Sequence, residues 1–353
     1  MTAVGETGLW RDMREVPGSL RVTLERASGF DAVAGFLTRP GTRRIVLTGN
    51  GAAHYAGLAV WLAALAGTAG PELVAAPGGL LLSGRLAWRE GDALLVISSS
   101  GELRDAIELL GREPQPYAVI TASPESTLAR GADAVALQHV ASQRAVTHTQ
   151  AYAGSIAAGL EIWARAAGDA GLAAAAASAP EAVDRSIAIA EAWAEEAVDA
   201  LPVPSAGIAL GSGSAWAGAL EAALLLKEIT RIPAEGVETR EGATSAMFGL
   251  TCPSQLAVSL RAGADLLLDE AERLCAAAGA TVVRCPPDPD ADPRLAAVIA
   301  LPATAALAAG LALRAGLDVD QPAWTDAYYE TARVTERPGD PPPRAPRAAP
   351  AGR

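Results

Sequence analysis

Three consecutive serines followed by glycine and glutamate, Ser98-Ser99-Ser100-Gly101-Glu102, are the run best suited to hold an anion. They follow an apolar run, ALLVI, and precede an amphipathic one, LRDAIELLG. A strand leading into a helix there would place the hydroxyls beside the helix N-terminus. Its free N–H groups and positive dipole end suit a phosphate. The plain alternative is helix capping, for which one serine suffices.

Two glycine turns, Gly49-Asn50-Gly51 and Gly211-Ser212-Gly213, also sit between an apolar run and an Ala/Leu-rich helix. They begin like a dinucleotide fingerprint, but His54 and Trp216 stand where its third glycine belongs, and no acidic residue follows the next strand to hold a ribose. No nucleotide cofactor is therefore expected. Glu221 and Glu228 lie seven apart, nearly on one face of a helix. A carboxylate in a pocket wall could move a proton between adjacent carbons; the alternative is an ordinary solvated helix face. The histidines, His54, His139 and His148, lack metal-ligand spacing, so no metal site is expected.

The surrounding elements read as α/β. The segments starting at Arg44 and at Ala206 each give strand, glycine turn and long helix, which suggests an internal repeat. Each continues with strand–turn–helix units, and apolar strands alternating with helices imply a parallel sheet covered on both faces. In the second half TVVRC and AAVIALPA are expected to be strands. Residues 151–200 read mostly as helix. The expected organisation is an N-terminal helical segment (1–30), a first α/β domain (31–165), linking helices (166–200), a second domain (201–335) and a disordered Pro/Arg-rich tail (336–353).

The chain has 353 residues, 50% of them hydrophobic and 19% charged, enough to bury sizeable cores. A net charge of −12 disfavours nucleic acid as a partner. Cys252, Cys275 and Cys285 are too scattered for a disulfide framework or zinc site, which suggests reduced thiols and a cytoplasmic protein. The charged N-terminus does not read as a signal peptide, and no run reads as a membrane span.

Taken in order, these segments resemble the SIS (sugar isomerase) family, in particular its tandem-domain members such as the isomerase half of glucosamine-6-phosphate synthase. The similarity runs from about Trp10 to about Val334. LWRDMREVPGSL resembles the family's N-terminal segment. VISSSGELRD resembles its S-x-S-G-E-T-x-D phosphate loop, and ITASPESTLARGADAVAL the stretch that follows it. AVTHTQAY occupies the place of V-A-S-T-K-A-F. EAALLLKEITRIPAE resembles E-G-A-L-K-L-K-E-I-x-x-x-x-A-E, and DVDQPAW the D-x-D-x-P-R-x-L segment.

The resemblance implies two tandem SIS domains, each a parallel β-sheet flanked by helices, and a homodimer that binds a phosphorylated sugar. Ser98, Ser99, Ser100 and Gly101 would form the phosphate loop, with Asn50 and Gly51 in the neighbouring turn. The backbone of Val146 would line the sugar, and Glu228 would transfer the proton. Several positions depart from the pattern. Leu103 replaces the loop's threonine, Ala53 a ligand serine and Leu225 a lysine; Thr244 stands where the ring-opening histidine belongs, and Ala327 near the C-terminal lysine. The chain starts almost at the first resembling segment, so a glutaminase half is not expected. Two functions stay open: an aldose–ketose (amino sugar) isomerase or related lyase or deglycase, and a non-catalytic phosphosugar sensor.

Overall fold

The computed structural model describes residues 2–322 apart from 66, 68, 69 and 262; the expected tail lies outside them. Helices α1 (Thr2–Gly5), α2 (Gly8–Arg26) and α3 (Phe30–Leu37) come first. The first sheet is built from β1 (Arg44–Gly49), α4 (Ala52–Ala64), β2 (Glu72–Pro77), α5 (Gly78–Leu82), β3 (Asp92–Ile97), α6 (Arg104–Arg112), β4 (Tyr117–Thr121), α7 (Thr127–Gly131) and β5 (Ala134–Leu137). Long helices α8 (Thr149–Ala167) and α9 (Ala170–Ala200) lead to the second sheet. Its elements are β6 (Ala206–Gly211), α10 (Ser214–Leu225), β7 (Ala234–Glu238), α11 (Thr239–Thr244), β8 (Gln255–Leu260), α12 (Leu266–Ala277) and β9 (Thr281–Cys285). Helices α13 (Ala296–Ile299) and α14 (Leu301–Arg314) end the described chain.

This is an α/β fold with two wholly parallel sheets flanked by helices. The strand orders are β2-β1-β3-β4-β5 and β7-β6-β8-β9, so the first four strands of each are arranged alike. Every residue of β1 and β3 is buried, as expected where helices cover both faces. One hydrophobic core runs from α2 through α4, α8, α9 and α10 to α14, so the two sheets share packed helices between them.

Local sequence explains the elements nearest the site. In α2, Thr7 caps the first turn by accepting the Trp10 N–H at 3.2 Å. Leu9, Met13, Val16 and Leu20 recur at helical spacing and are fully buried. Helix α8 carries Ala, Gly and Ser through most of its length, which lets α2, α4 and α9 approach closely, and it stops at Gly168 in the left-handed region.

Two sequence expectations fail. AAVIALPA is not a strand: its residues belong to α13 and the start of α14, where Pro302 occupies the first helical turn. A short apolar run fits a buried strand or a buried helix equally well, and the proline decides for helix. Also counter to expectation, Pro293–Arg314 is long and apolar enough to cross a bilayer; 94% of that window is buried within the fold, the position of a core helix.

Candidate functional site

The phosphate-loop candidates lie beyond the C-terminal end of β3, where parallel sheets present ligands. Ser98 Oγ accepts the Gly101 N–H at 3.1 Å, and Ser100 Oγ accepts the Glu102 N–H at 3.2 Å. A hydroxyl that accepts keeps its proton to donate elsewhere. No serine caps α6, because the N-cap is Leu103, whose side chain is buried at 4% exposure. The capping alternative therefore fails, and the serines instead shape the turn. Gly101 is obligatory: it has φ +67°, and a Cβ there would sit 1.9 Å from Ser126 Oγ. Glu102 accepts the Thr127 N–H at 2.7 Å and so ties the loop to α7.

The glycine turns adopt the same backbone. Gly51 has φ 53°, ψ −131° and Gly213 φ 54°, ψ −135°. In both, the preceding glycine faces the first turn of its helix so closely that a Cβ would clash with it. Asn50 bridges its turn to the starts of α5 and α6. Its Nδ2 donates to Asp105 at 2.7 Å in the first turn of α6, and its Oδ1 accepts the Gly78 N–H at 3.1 Å. A Cβ on Gly51 would lie 4.0 Å from Leu224 Cδ2, which places this turn against the stretch between Glu221 and Glu228.

Glu228 lies in a π-helical turn, Leu226–Thr230, that continues α10. Such turns re-aim a side chain and recur at functional sites. Glu228 is half-buried, hydrogen-bonds Thr147, and has its pKa raised to about 7, chiefly by burial. Glu221 is not on a solvated face. It is buried at 3% exposure, its Oε2 has no hydrogen-bond partner, and burial with the nearby Glu228 charge raises its pKa to about 8. The desolvation of a carboxylate in this apolar helix packing is the cause. Burial, and after it the Glu221 charge, pushes the hydroxyl pKa values of Tyr55 on α4 and Tyr152 on α8 upward.

Residues 144–147 are held from two sides. Fully buried Asp12 accepts the Arg144 and Ala145 N–H groups at 2.7 and 3.0 Å and the Arg144 guanidinium at 2.7 Å. The Asp320 carbonyl accepts the Val146 N–H at 3.0 Å, while its carboxylate accepts those of Gly8 and Leu9 at 2.7 and 2.8 Å. Three successive amides are thus fixed just before Thr147.

Contacts tie the Asn50–Gly51 turn to Asp105 in α6 and to Leu224, and tie Glu228 to Thr147, the neighbour of Val146; Ser98, Ser99, Ser100 and Gly101 lead into α6. Thr244 is the exception: exposed at the end of α11, its hydroxyl donates back to Arg240 in its own helix at 2.9 Å. The reading from sequence missed Tyr55, Thr147 and Asp12. Only Asp12 left a signal, a carboxylate among the apolar positions of α2. In the second sheet, the residue after β8 is Arg261, committed to Asp269 and Glu272. Arg261 thus stands where the first half has Ser98. Among the described residues no group of three or more His, Cys, Asp or Glu side chains is arranged to hold a metal ion.

Neither a protein-family model nor a curated protein sequence matches the chain. Solved structures match it in fold. Tagatose-6-phosphate ketose/aldose isomerase from Escherichia coli is 20% identical, with TM-score 0.72 over 91% of this chain and 96% of that one. The C-terminal domain of glucosamine-fructose-6-phosphate aminotransferase from Francisella tularensis is 19% identical, TM-score 0.70, over 90% and 98%. Glucosamine-6-phosphate deaminase from Thermotoga maritima is 17% identical, TM-score 0.70, over 90% and 98%. At these identities the likeness is one of fold.

Proposed function

We propose that this protein binds a phosphorylated sugar at the Ser98–Gly101 loop and moves a proton between its C1 and C2 through Glu228. The reaction is aldose–ketose isomerisation, of an amino sugar or a simple one, or the related lyase or deglycase chemistry. Its halves act as two tandem SIS-type domains in a cytoplasmic homodimer. The observation that carries this reading is the placement of Glu228. It is a half-buried carboxyl, poised near neutrality on a π turn that follows Leu224, against which the Gly51 turn lies; Asn50 in that turn bonds Asp105 at the start of α6, the helix the serine loop leads into. A base with a pKa near the working pH is the requirement for abstracting a carbon-bound proton. The enediolate route calls for no organic cofactor.

A second reading, a non-catalytic phosphosugar sensor, draws on two observations: Leu103 is turned into the core, and the Thr244 hydroxyl is committed to Arg240. Melting curves and turnover test both. A hexose phosphate should raise the melting temperature where the free hexose does not. At a hundredfold excess over Kd the gain is about 2.7 kcal/mol. Equal stabilisation by both sugars contradicts phosphosugar binding. Binding with no turnover of any aldose or ketose phosphate selects the sensor.

A further inference from the structure

The strand order β2-β1-β3-β4-β5 reverses direction between β1 and β3, since the chain leaves β1 towards β2 and then crosses back to β3. In a doubly wound sheet the crevice for a ligand opens at that reversal, beyond the C-terminal ends of the two strands. Here the ladder between them ends at Thr48 and Val96. Past it the Gly49-Asn50-Gly51 turn forms one lip of the crevice and the Ser98–Gly101 loop the other.

The serine loop is anchored to the β4 side through its own backbone. The Ser99 carbonyl accepts the Ala122 N–H and the Thr121 hydroxyl, both at 3.0 Å, and the Gly101 carbonyl accepts the Leu128 N–H at 3.1 Å. Towards β1 the tie is made by a side chain. Asn50 Nδ2 donates across the crevice to Asp105, four residues beyond Gly101, at 2.7 Å. The carboxamide is held in that orientation because its Oδ1 accepts the Gly78 N–H at 3.1 Å. Gly78 leaves the room for this: a Cβ there would sit 3.0 Å from Asn50 Oδ1 and 3.2 Å from Asp105 Cβ. In the second half, where Arg261 stands in place of Ser98, Ser212 has the position of Asn50. Its hydroxyl donates to Thr239, on the β7 side, at 2.8 Å. With its one proton spent there, Ser212 cannot donate across its own crevice.

We infer that Asn50 is a positioning residue whose carboxamide sets the width of this crevice and so holds the serine loop at the spacing that receives the sugar phosphate. The inference rests on the phosphosugar binding proposed above. It gives the Asn50 side chain a different task from that of a ligand, since both of its polar atoms are engaged within the protein. Donors around a bound group must be held to within about 0.5 Å, so a bond that fixes one lip against the other acts on affinity without touching the sugar.

The test is calorimetric binding of inorganic phosphate and of fructose 6-phosphate to wild type, Asp105→Ala, Asn50→Asp and the swapped pair Asn50→Asp/Asp105→Asn, with a melting curve for each. Asp105→Ala removes a negative charge beside the loop, so electrostatics by itself would tighten phosphate binding. Loss of positioning weakens it instead, by about tenfold in Kd, the scale of one lost charge-assisted hydrogen bond. Asn50→Asp sets two carboxylates face to face and should weaken binding at least as much. The swapped pair rebuilds the bond with donor and acceptor exchanged and with the wild-type net charge. Its Kd should return to within about threefold of wild type, and it should melt with wild type. Inorganic phosphate, which needs the serine loop and not the sugar contacts, should follow the same order. Asp105→Ala binding as tightly as wild type, or more tightly, overturns the inference and leaves the proposed function standing. A swapped pair as weak as Asn50→Asp also overturns it, since that marks the Asn50 side chain as a ligand in its own right. A wild type that binds neither probe contradicts phosphate capture by the serine loop, and with it both the proposed function and this inference.

Discussion

Replacing Glu221 by Gln should stabilise the protein, and most strongly in alkaline solution. The side chain is buried at 3% exposure, with Oε2 unpartnered and its pKa raised from 4.5 to about 8 by burial and then by Glu228. Below pH 4.5 the carboxyl is protonated in both folded and unfolded chains and costs nothing. Between about 4.5 and 8 the unfolded chain loses the proton and the folded one keeps it, so stability falls as pH rises. At about 1.4 kcal/mol per pH unit, the accumulated loss at pH 8 is on the order of 3–5 kcal/mol. A carboxamide has the shape of the protonated acid and does not titrate. Urea unfolding of wild type and Glu221→Gln at several pH values from 5 to 9 checks this. The wild-type free energy should decline across the series, with the variant flatter and the gap widening by several kcal/mol. Parallel curves would refute the reasoning, because they would mean that Glu221 titrates alike in both states.

Other outcomes follow from the same geometry. Gly101→Ala forces a left-handed φ of +67° on alanine and drives its Cβ into Ser126, so it should cost on the order of 2–4 kcal/mol and weaken phosphosugar binding, read by denaturation and calorimetry. Asp12→Ala frees the Arg144 and Ala145 amides, and should cost on the order of 2–4 kcal/mol and lower kcat more than it raises KM, because Thr147 loses its fixed place. The rate should fall as pH drops through about 7, where Glu228 becomes protonated; an acidic limb near 4.5 would show that Glu228 is not the base.

Much of the fold was legible because its signals are local. Apolar runs punctuated by Gly49–Gly51, Ser98–Gly101 and Gly211–Gly213 marked strand-to-helix turns, and those turns are where the strands end. Residues 296–301 misled because a six-residue apolar run carries no period that separates strand from helix. The candidate serine loop was picked out by residue type and position, and the candidate base Glu228 by the family resemblance. The burial of Glu221 could not, since a helix packed between two sheets has no outer face, and sequence periodicity does not reveal a second covering layer. Tyr55 was equally hidden: the carboxyls whose charges act on it lie about 170 residues further along the chain, on the stretch that begins with α10, the helix that packs on α4.

The central claim is that Glu228 exchanges a carbon-bound proton of a sugar phosphate. It is tested most directly by incubating hexose and amino-hexose phosphates with wild type and Glu228→Gln in deuterium oxide and following C1 and C2 by NMR. Glutamine keeps the side chain's shape but cannot accept a proton at neutral pH. The account predicts deuterium at C1 or C2 with wild type. The variant should show a 10²–10⁴-fold slower exchange while its melting temperature still rises with the sugar phosphate. Exchange at the wild-type rate in the folded variant would contradict it.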